Sequence, residues 1–211
     1  AYIYNASLPL IQNNQEYLNT LEPKMSFRFS PHEMKNHKTL TRRIDIENIF
    51  NRDRLSMSNS FEGGESMTIG LDFKKEKIDI KNEKQELEDY IDFKLATVLR
   101  LEKENYIPNS STINEKNSNI FGQFNFKATE KFSFNYDFSL TNDLDTFNYN
   151  SITTDFTFDN FYTQFEYLEE TGLVGNTHII ENITQYRITD DNSLTFKTRQ
   201  NRNLNLTEYY D

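Results

Sequence analysis

The sequence predicts an all-β chain built from antiparallel strands, and three observations predict it. Large apolar and polar residues alternate over strand-length runs. From Phe132 to Leu140 the even positions read Phe132, Phe134, Tyr136, Phe138 and Leu140, and the odd ones between them read Ser133, Asn135, Asp137 and Ser139. Successive strand side chains point to opposite faces, so such a run has one greasy face and one wet face. The apolar mass is aromatic, with 18 Phe, 12 Tyr and no Trp. A mean hydropathy of -0.79 would suit a disordered chain if these residues were scattered. They instead recur at every second position. Finally, turn-forming clusters punctuate the runs at short spacing, and helical periodicity is absent.

The strands follow in order. Met25, Phe27 and Phe29 alternate with Lys24, Ser26, Arg28 and Ser30, and Pro31 closes that run. Met67, Ile69, Leu71 and Phe73 alternate with Thr68, Gly70, Asp72 and Lys74. Ile91, Phe93, Leu95, Leu99 and Leu101 form a further odd-numbered face, and Phe124 and Phe126 lead into the Phe132 run. Ile152, Phe156 and Phe158 come next, then Phe161, Phe165 and Tyr167, then Ile180, Tyr186 and Ile188, then Leu194 and Phe196. The spacing gives about eleven or twelve strands.

The connectors are of two kinds. Ala128–Lys131 and Asp190–Ser193 fit tight hairpin turns. His32 to Ile46, Lys74 to Glu88, Glu102 to Asn119 and Glu169 to His178 read as long polar loops, with a strand extension or a helical turn within a loop as the alternative for Lys74 to Glu88. Short turns on one side and long loops on the other suit a transmembrane β-barrel. Membrane strands need only ~9 to 11 alternating residues, so the lack of a long apolar run excludes helical spans alone. The wet faces favour Ser, Thr, Asn, Asp and Gln over Lys and Glu, which suits a hydrated lumen. No fixed-length repeat suggests a solenoid or propeller. A net charge of -10 argues against a nucleic-acid partner. With no Cys, the chain holds neither a disulfide nor a thiolate metal site.

Candidate chemistry is sparse. His32, His37 and His178 lack metal-ligand spacing and read as exposed loop residues, so no metal is expected. Glu169 and Glu170 are adjacent, but strand neighbours point apart, and a solvated loop start is the simpler reading. Gly63 and Gly64 read as a turn or bulge rather than an anion cradle. No catalytic residue and no cofactor is expected, since phosphate-loop, nucleophile-elbow and triad patterns are missing.

Three ordered segments carry a resemblance. The first is Leu21-Glu22-Pro23, an alternating strand, then Ser30-Pro31-His32. The second is Asn48-Ile49-Phe50-Asn51-Arg52-Asp53-Arg54-Leu55, followed by Phe61-Glu62-Gly63-Gly64 and the strand through Gly70. The third runs from Tyr167-Leu168-Glu169-Glu170 to Arg199-Gln200-Asn201 and Leu204-Asn205-Leu206-Thr207-Glu208-Tyr209-Tyr210. Together they resemble the C-terminal barrel of the LptD family, outer-membrane proteins of lipopolysaccharide assembly.

The resemblance implies an antiparallel transmembrane β-barrel segment, with residues 1–211 forming part of one outer-membrane barrel domain. The periplasmic jellyroll, the last barrel strands, the lateral gate and a family cysteine pair are expected outside this chain. It implies a non-catalytic wall of a translocon that inserts lipopolysaccharide into the outer leaflet of a Gram-negative cell. Implied partners are lipopolysaccharide, an LptE-like lipoprotein plug, the periplasmic Lpt bridge and membrane lipid. Leu21, Glu22, Pro23, Pro31, Arg54, Gly63, Gly64, Gly70, Arg199, Asn201 and Glu208 are the family-motif positions, structural or lumenal. Pro23 is expected near a strand start, where its missing N–H is tolerated. Gly70 is expected to leave room on the wet face for a plug or loop. Arg54, Arg199 and Asn201 are candidates for lumen polar networks or interfacial anchoring. The alternatives are another outer-membrane barrel, such as a porin or receptor, and a soluble or surface β-sandwich binding module. A sandwich would bury the same Phe residues between two sheets.

Overall fold

The structure, a computed structural model, describes residues 1–57, 60–81, 84–172 and 175–210. Its strands are β1 (Tyr2–Ser7), β2 (Leu10–Asn13), β3 (Tyr17–Ser30), β4 (Gly64–Lys81), β5 (Lys84–Arg100), β6 (Asn117–Thr129), β7 (Phe132–Leu140), β8 (Phe147–Phe158), β9 (Phe161–Glu170), β10 (Thr177–Arg187), β11 (Ser193–Asn201) and β12 (Leu206–Tyr210). They form one antiparallel sheet in sequence order, with β2 beside β3. The sheet is open: β1 and β12 stand at opposite ends of it.

Residues that pair across the ladder share a face, so the register assigns every side chain. Met25, Ile69 and Thr97 fall on one face, and Ser26, Thr68 and Val98 on the other. The first face is called outer here. It carries Phe27 (43% exposed), Phe156 (50%) and Phe196 (52%), and no second sheet covers it among the described residues. The β-sandwich alternative fails on that observation. Gly122 lies on the same face, and the ring of Phe138 covers the space its side chain would fill.

The buried apolar core lies on the opposite, inner face. Met34, Ile44, Ile46, Ile49, Leu55 and Met57 come from the β3–β4 connection, residues 31–63. Ile107 and Ile113 come from the β5–β6 connection, residues 101–116. They pack on Ala96, Val98 and Phe121 of the wall. Connections read from sequence as polar and solvated thus supply most of the core. Small residues on the inner face let them approach.

Three further expectations change. Between Lys74 and Glu88 the strand extension holds rather than the loop, because the β4–β5 ladder runs from Lys74 to Lys81 and from Lys84 to Glu88. Charge at most positions hides the two-residue period, while backbone pairing requires none. Glu169, Glu170 and His178 likewise lie in strands, since β9 and β10 remain paired from Glu170–Thr177 onward. β9 ends only at Glu170, and β10 begins at Thr177.

Pro23 stands inside β3 rather than near its start. Its carbonyl accepts a hydrogen bond from the Leu8 N–H at 3.1 Å, so its missing N–H faces the same neighbour. The return bond cannot form. That is why β1 and β2, which pair with β3 in one continuous register, are interrupted at Leu8 and Pro9.

The outer face leaves a broad apolar surface that water does not tolerate. The chain produced alone in detergent-free buffer is expected to sediment as aggregate. A monodisperse species in analytical ultracentrifugation, melting cooperatively, would contradict the lipid-facing assignment.

Candidate functional site

The inner face offers the only strong concentration of polar chemistry found among the described residues. Its centre is one carboxylate serving a cluster of arginines. Glu62, near the end of the 31–63 connection, receives a two-pronged contact from Arg54 of the same connection. The Nε–Oε2 distance is 2.8 Å and the Nη2–Oε1 distance 2.5 Å. Arg100 of β5 also donates to Glu62 Oε1. Arg54 Nη1 reaches Thr68 Oγ1 of β4 at 2.8 Å and the Ile49 carbonyl at 3.3 Å.

Arg28 of β3 donates to the carbonyls of Asn51 and Arg52. Arg100 further donates to the carbonyls of Ile113 and Gly63. All three guanidinium residues are buried. Burial alone pushes the Glu62 carboxyl up. The charges of Arg54, Arg100 and Arg28 outweigh it and hold its pKa down to about 2, against an ordinary 4.5. The network ties both connections to the wall.

Glycines shape this docking. Gly70 lies on the inner face opposite Ala96, and a side chain there would meet the Phe50 ring at 2.6 Å. Phe50 comes from the 31–63 connection, so the absent side chain is what admits its ring. Gly64 opens β4 at a φ of 74°, the left-handed region that favours glycine. Gly63 is buried, and its carbonyl is held by Arg100 at 3.0 Å.

The remaining motif positions fall elsewhere. Leu21, Glu22 and Pro23 run along β3, where Leu21 faces outward opposite Phe73 and Glu22 lies 3.6 Å from Lys24. Pro31 is exposed at the start of the first long connection. Arg199 on the inner face of β11 bonds Glu181 at 3.2 Å and stands 2.7 Å from Glu208 of β12. Asn201 donates to Glu208 at 3.3 Å. Arg54, Gly63, Gly64 and Gly70 thus lie together under the long connections, and Arg199, Asn201 and Glu208 form a separate inner-face cluster near the β12 edge.

Between the clusters the wall is lined by neutral and paired groups. Gln123 donates to Asp137 at 2.9 Å, and Ser133, Tyr162 and Gln164 converge on the Asp155 carboxylate. Lys24 pairs with Asp72 at 2.5 Å, and Lys94 with Glu47 of the first connection at 2.9 Å. A cavity of about 140 Å³ remains beside these connections, with Arg43, Asn119, Ser139, Tyr149 and Glu170 on its walls. Such a surface can bind polar material.

Sequence reasoning singled out Arg54 but missed Glu62 as its partner and Arg28 and Arg100 as the further cations of the cluster. The signal was available in part. Arg28 sits between Ser26 and Ser30 on its wet face and Arg100 follows Ala96 and Val98, so each is a long cation among small immediate neighbours.

Residues 5–199 match the family described as LptD: LPS transport system D. No curated protein matches the chain.

Two outcomes are expected. Glu62→Gln leaves buried guanidiniums without their counter-charge, at a cost of about 3–5 kcal/mol. Limited proteolysis should then cut within residues 31–63 much faster than in the parent; equal rates would remove Glu62 as the tether. Because the folded-state pKa is depressed, the Glu62 contribution is complete above about 4.5 and fades as pH falls towards about 2. Proteolytic protection of the connection should follow that acid limb in the parent and lose it in the variant. Separately, Gly70→Leu should displace Phe50 and cost about 1–3 kcal/mol, read as a lower unfolding midpoint in detergent.

Proposed function

The chain belongs to the LptD family of LPS transport, and from that premise we propose that it forms part of the wall of an outer-membrane translocon for lipopolysaccharide. The observation that carries this reading is the division of the sheet into an apolar outer face and a polar, plugged inner face. In a barrel the outer face meets lipid, while the polar face lines an aqueous path. The family supplies the cargo; the two faces supply a place for each of its parts. Acyl chains suit the outer side and sugars the inner.

Residues 1–211 are then one stretch of a single barrel domain in the outer membrane of a Gram-negative cell. The role is non-catalytic. A lipoprotein plug and a periplasmic delivery bridge are the partners that such a wall requires. The connections 31–63 and 101–116, held by the Glu62 cluster, occlude the lumen from the long-loop end. A barrel so occluded keeps solutes out between transport events.

The test uses the full-length protein in cells that depend on it. A photoreactive residue replacing Thr153, which pairs with Asn135 on the inner face, should capture lipopolysaccharide during transport. Capture of phospholipid alone would overturn the translocon reading. In the same cells Arg54→Ala should loosen the plug and raise sensitivity to bulky antibiotics that an intact outer membrane excludes. Unchanged sensitivity, with the barrel folded, would mean that these connections do not seal it.

A further inference from the structure

The outer face ends, towards the short turns, in an unbroken row of six side chains from six consecutive strands. The row runs Tyr17 (β3), Lys75 (β4), Tyr90 (β5), Phe126 (β6), Phe132 (β7) and Phe156 (β8). The Lys75 ammonium lies 4.0 Å from the Tyr17 ring centre and 5.6 Å from that of Tyr90. Ring centres are 5.7 Å apart for Tyr17–Tyr90 and 5.4 Å for Tyr90–Phe126. They are 6.3 Å apart for Phe126–Phe132 and 5.5 Å for Phe132–Phe156. Beside the end of the row, the Lys131 ammonium stands 5.3 Å from the Phe158 ring.

The sheet changes character at this row. The β4–β5 ladder takes a bulge between Lys75 and Glu76, the place where Tyr90 is inserted. The β5–β6 ladder has its last pair at Ile91–Phe126, and the β3–β4 ladder at Tyr17–Lys77. The Ile78 N–H still donates to the Glu16 carbonyl at 2.8 Å; beyond it β4 and β5 pair only with each other, to Lys81 and Lys84. Residues 76–89 hold six carboxylates and three lysines. On the other side of the row the outer face carries Leu71, Ile69, Leu95 and Met67, with no charge between them.

We infer that this row is the interfacial belt that binds the phospholipid headgroups of the inner leaflet, and that the β4–β5 ribbon beyond it stands clear of the bilayer in the periplasm. The assignment rests on the outer-membrane placement proposed above. Tyr and Lys have the chemistry for a bilayer boundary: an apolar body or stem and a polar tip that reaches water. The cation over two aromatic faces keeps both groups at one depth. Short turns mark the periplasmic end of an outer-membrane barrel, which fixes the leaflet. Carboxylates spaced along residues 76–89 have no place in hydrocarbon, and the bulge lets the ribbon leave the wall where its lipid contact ends.

The test places p-benzoyl-phenylalanine at four positions of the full-length protein in its native membrane: Leu71 in the apolar band, Tyr90 and Phe132 in the belt, and Lys81 at the far end of the ribbon. Heat-modifiable migration on gels verifies folding of each variant, and Tyr17 replaces Tyr90 should that variant fail to fold. After illumination, mass spectrometry should find phospholipid adducts at 71, 90 and 132, and about tenfold fewer at 81. Adducts at 81 as abundant as at 71 would overturn the boundary while leaving the barrel reading intact. Lipid adducts at none of the four sites in a folded protein would overturn the outer-membrane placement, and the belt with it. Lipopolysaccharide in place of phospholipid at 90 and 132 would overturn the leaflet assignment.

Discussion

Everything in this sheet depends on one constraint: the antiparallel ladder fixes which side each residue faces, and the two sides meet different surroundings. A one-residue slip would send every Phe of β7 inward and every Ser and Asn outward. The ladder tolerates irregularity only where the faces allow it. The gap between β1 and β2 costs a single bond at Pro23. The bulge at Lys75–Glu76 falls where the apolar band gives way to charge. Pairing and face chemistry change together, as a sheet between two solvents demands.

The apolar core is inverted relative to a soluble β-protein. Large side chains of the strands point away from it, and the wall offers it mainly small groups such as Ser26, Thr68, Gly70 and Ala96. The long connections bring their own isoleucines and close the space. This explains how a face that is polar in sequence becomes the most buried region of the structure. The hydroxyls of Ser66 and Thr68 and the guanidiniums of the wall are paired with the connections. Desolvating those guanidiniums is costly, so they are met by backbone carbonyls and by the one carboxylate that all three sense.

The regular part of the fold is legible from residue type alone. The alternation from Phe132 to Leu140 has the same limits as β7. The β4–β5 ribbon was legible only as an alternative to a loop, because charge at most of its positions hides the two-residue period. The core under the connections was not legible for a related reason. Ile44, Ile46, Ile49 and Leu55 carry no strand or helix period, and what buries them is a wall distant in sequence. Arg54 was visible through its motif, but the wall cations Arg28 and Arg100 that gather beside it were not. Only the register brings those positions together.

The Glu62 cluster is asymmetric in a way that bears on the plug. Arg54 and Glu62 both belong to the 31–63 connection, so their two-pronged pair is internal to it. The wall contributes two cations, Arg28 and Arg100, and receives in return one shared carboxylate oxygen and four carbonyl oxygens. The connection therefore carries a nearly neutral unit of its own, and only a single ion pair, Glu62–Arg100, crosses from it to the wall within the cluster. Carbonyls hold the rest of the wall's charge. A plug anchored by many inter-element ion pairs would lose several counter-charges at once if it shifted. This one keeps its strongest pair wherever it sits, which makes docking depend on the fit of Phe50 and the isoleucines as much as on charge.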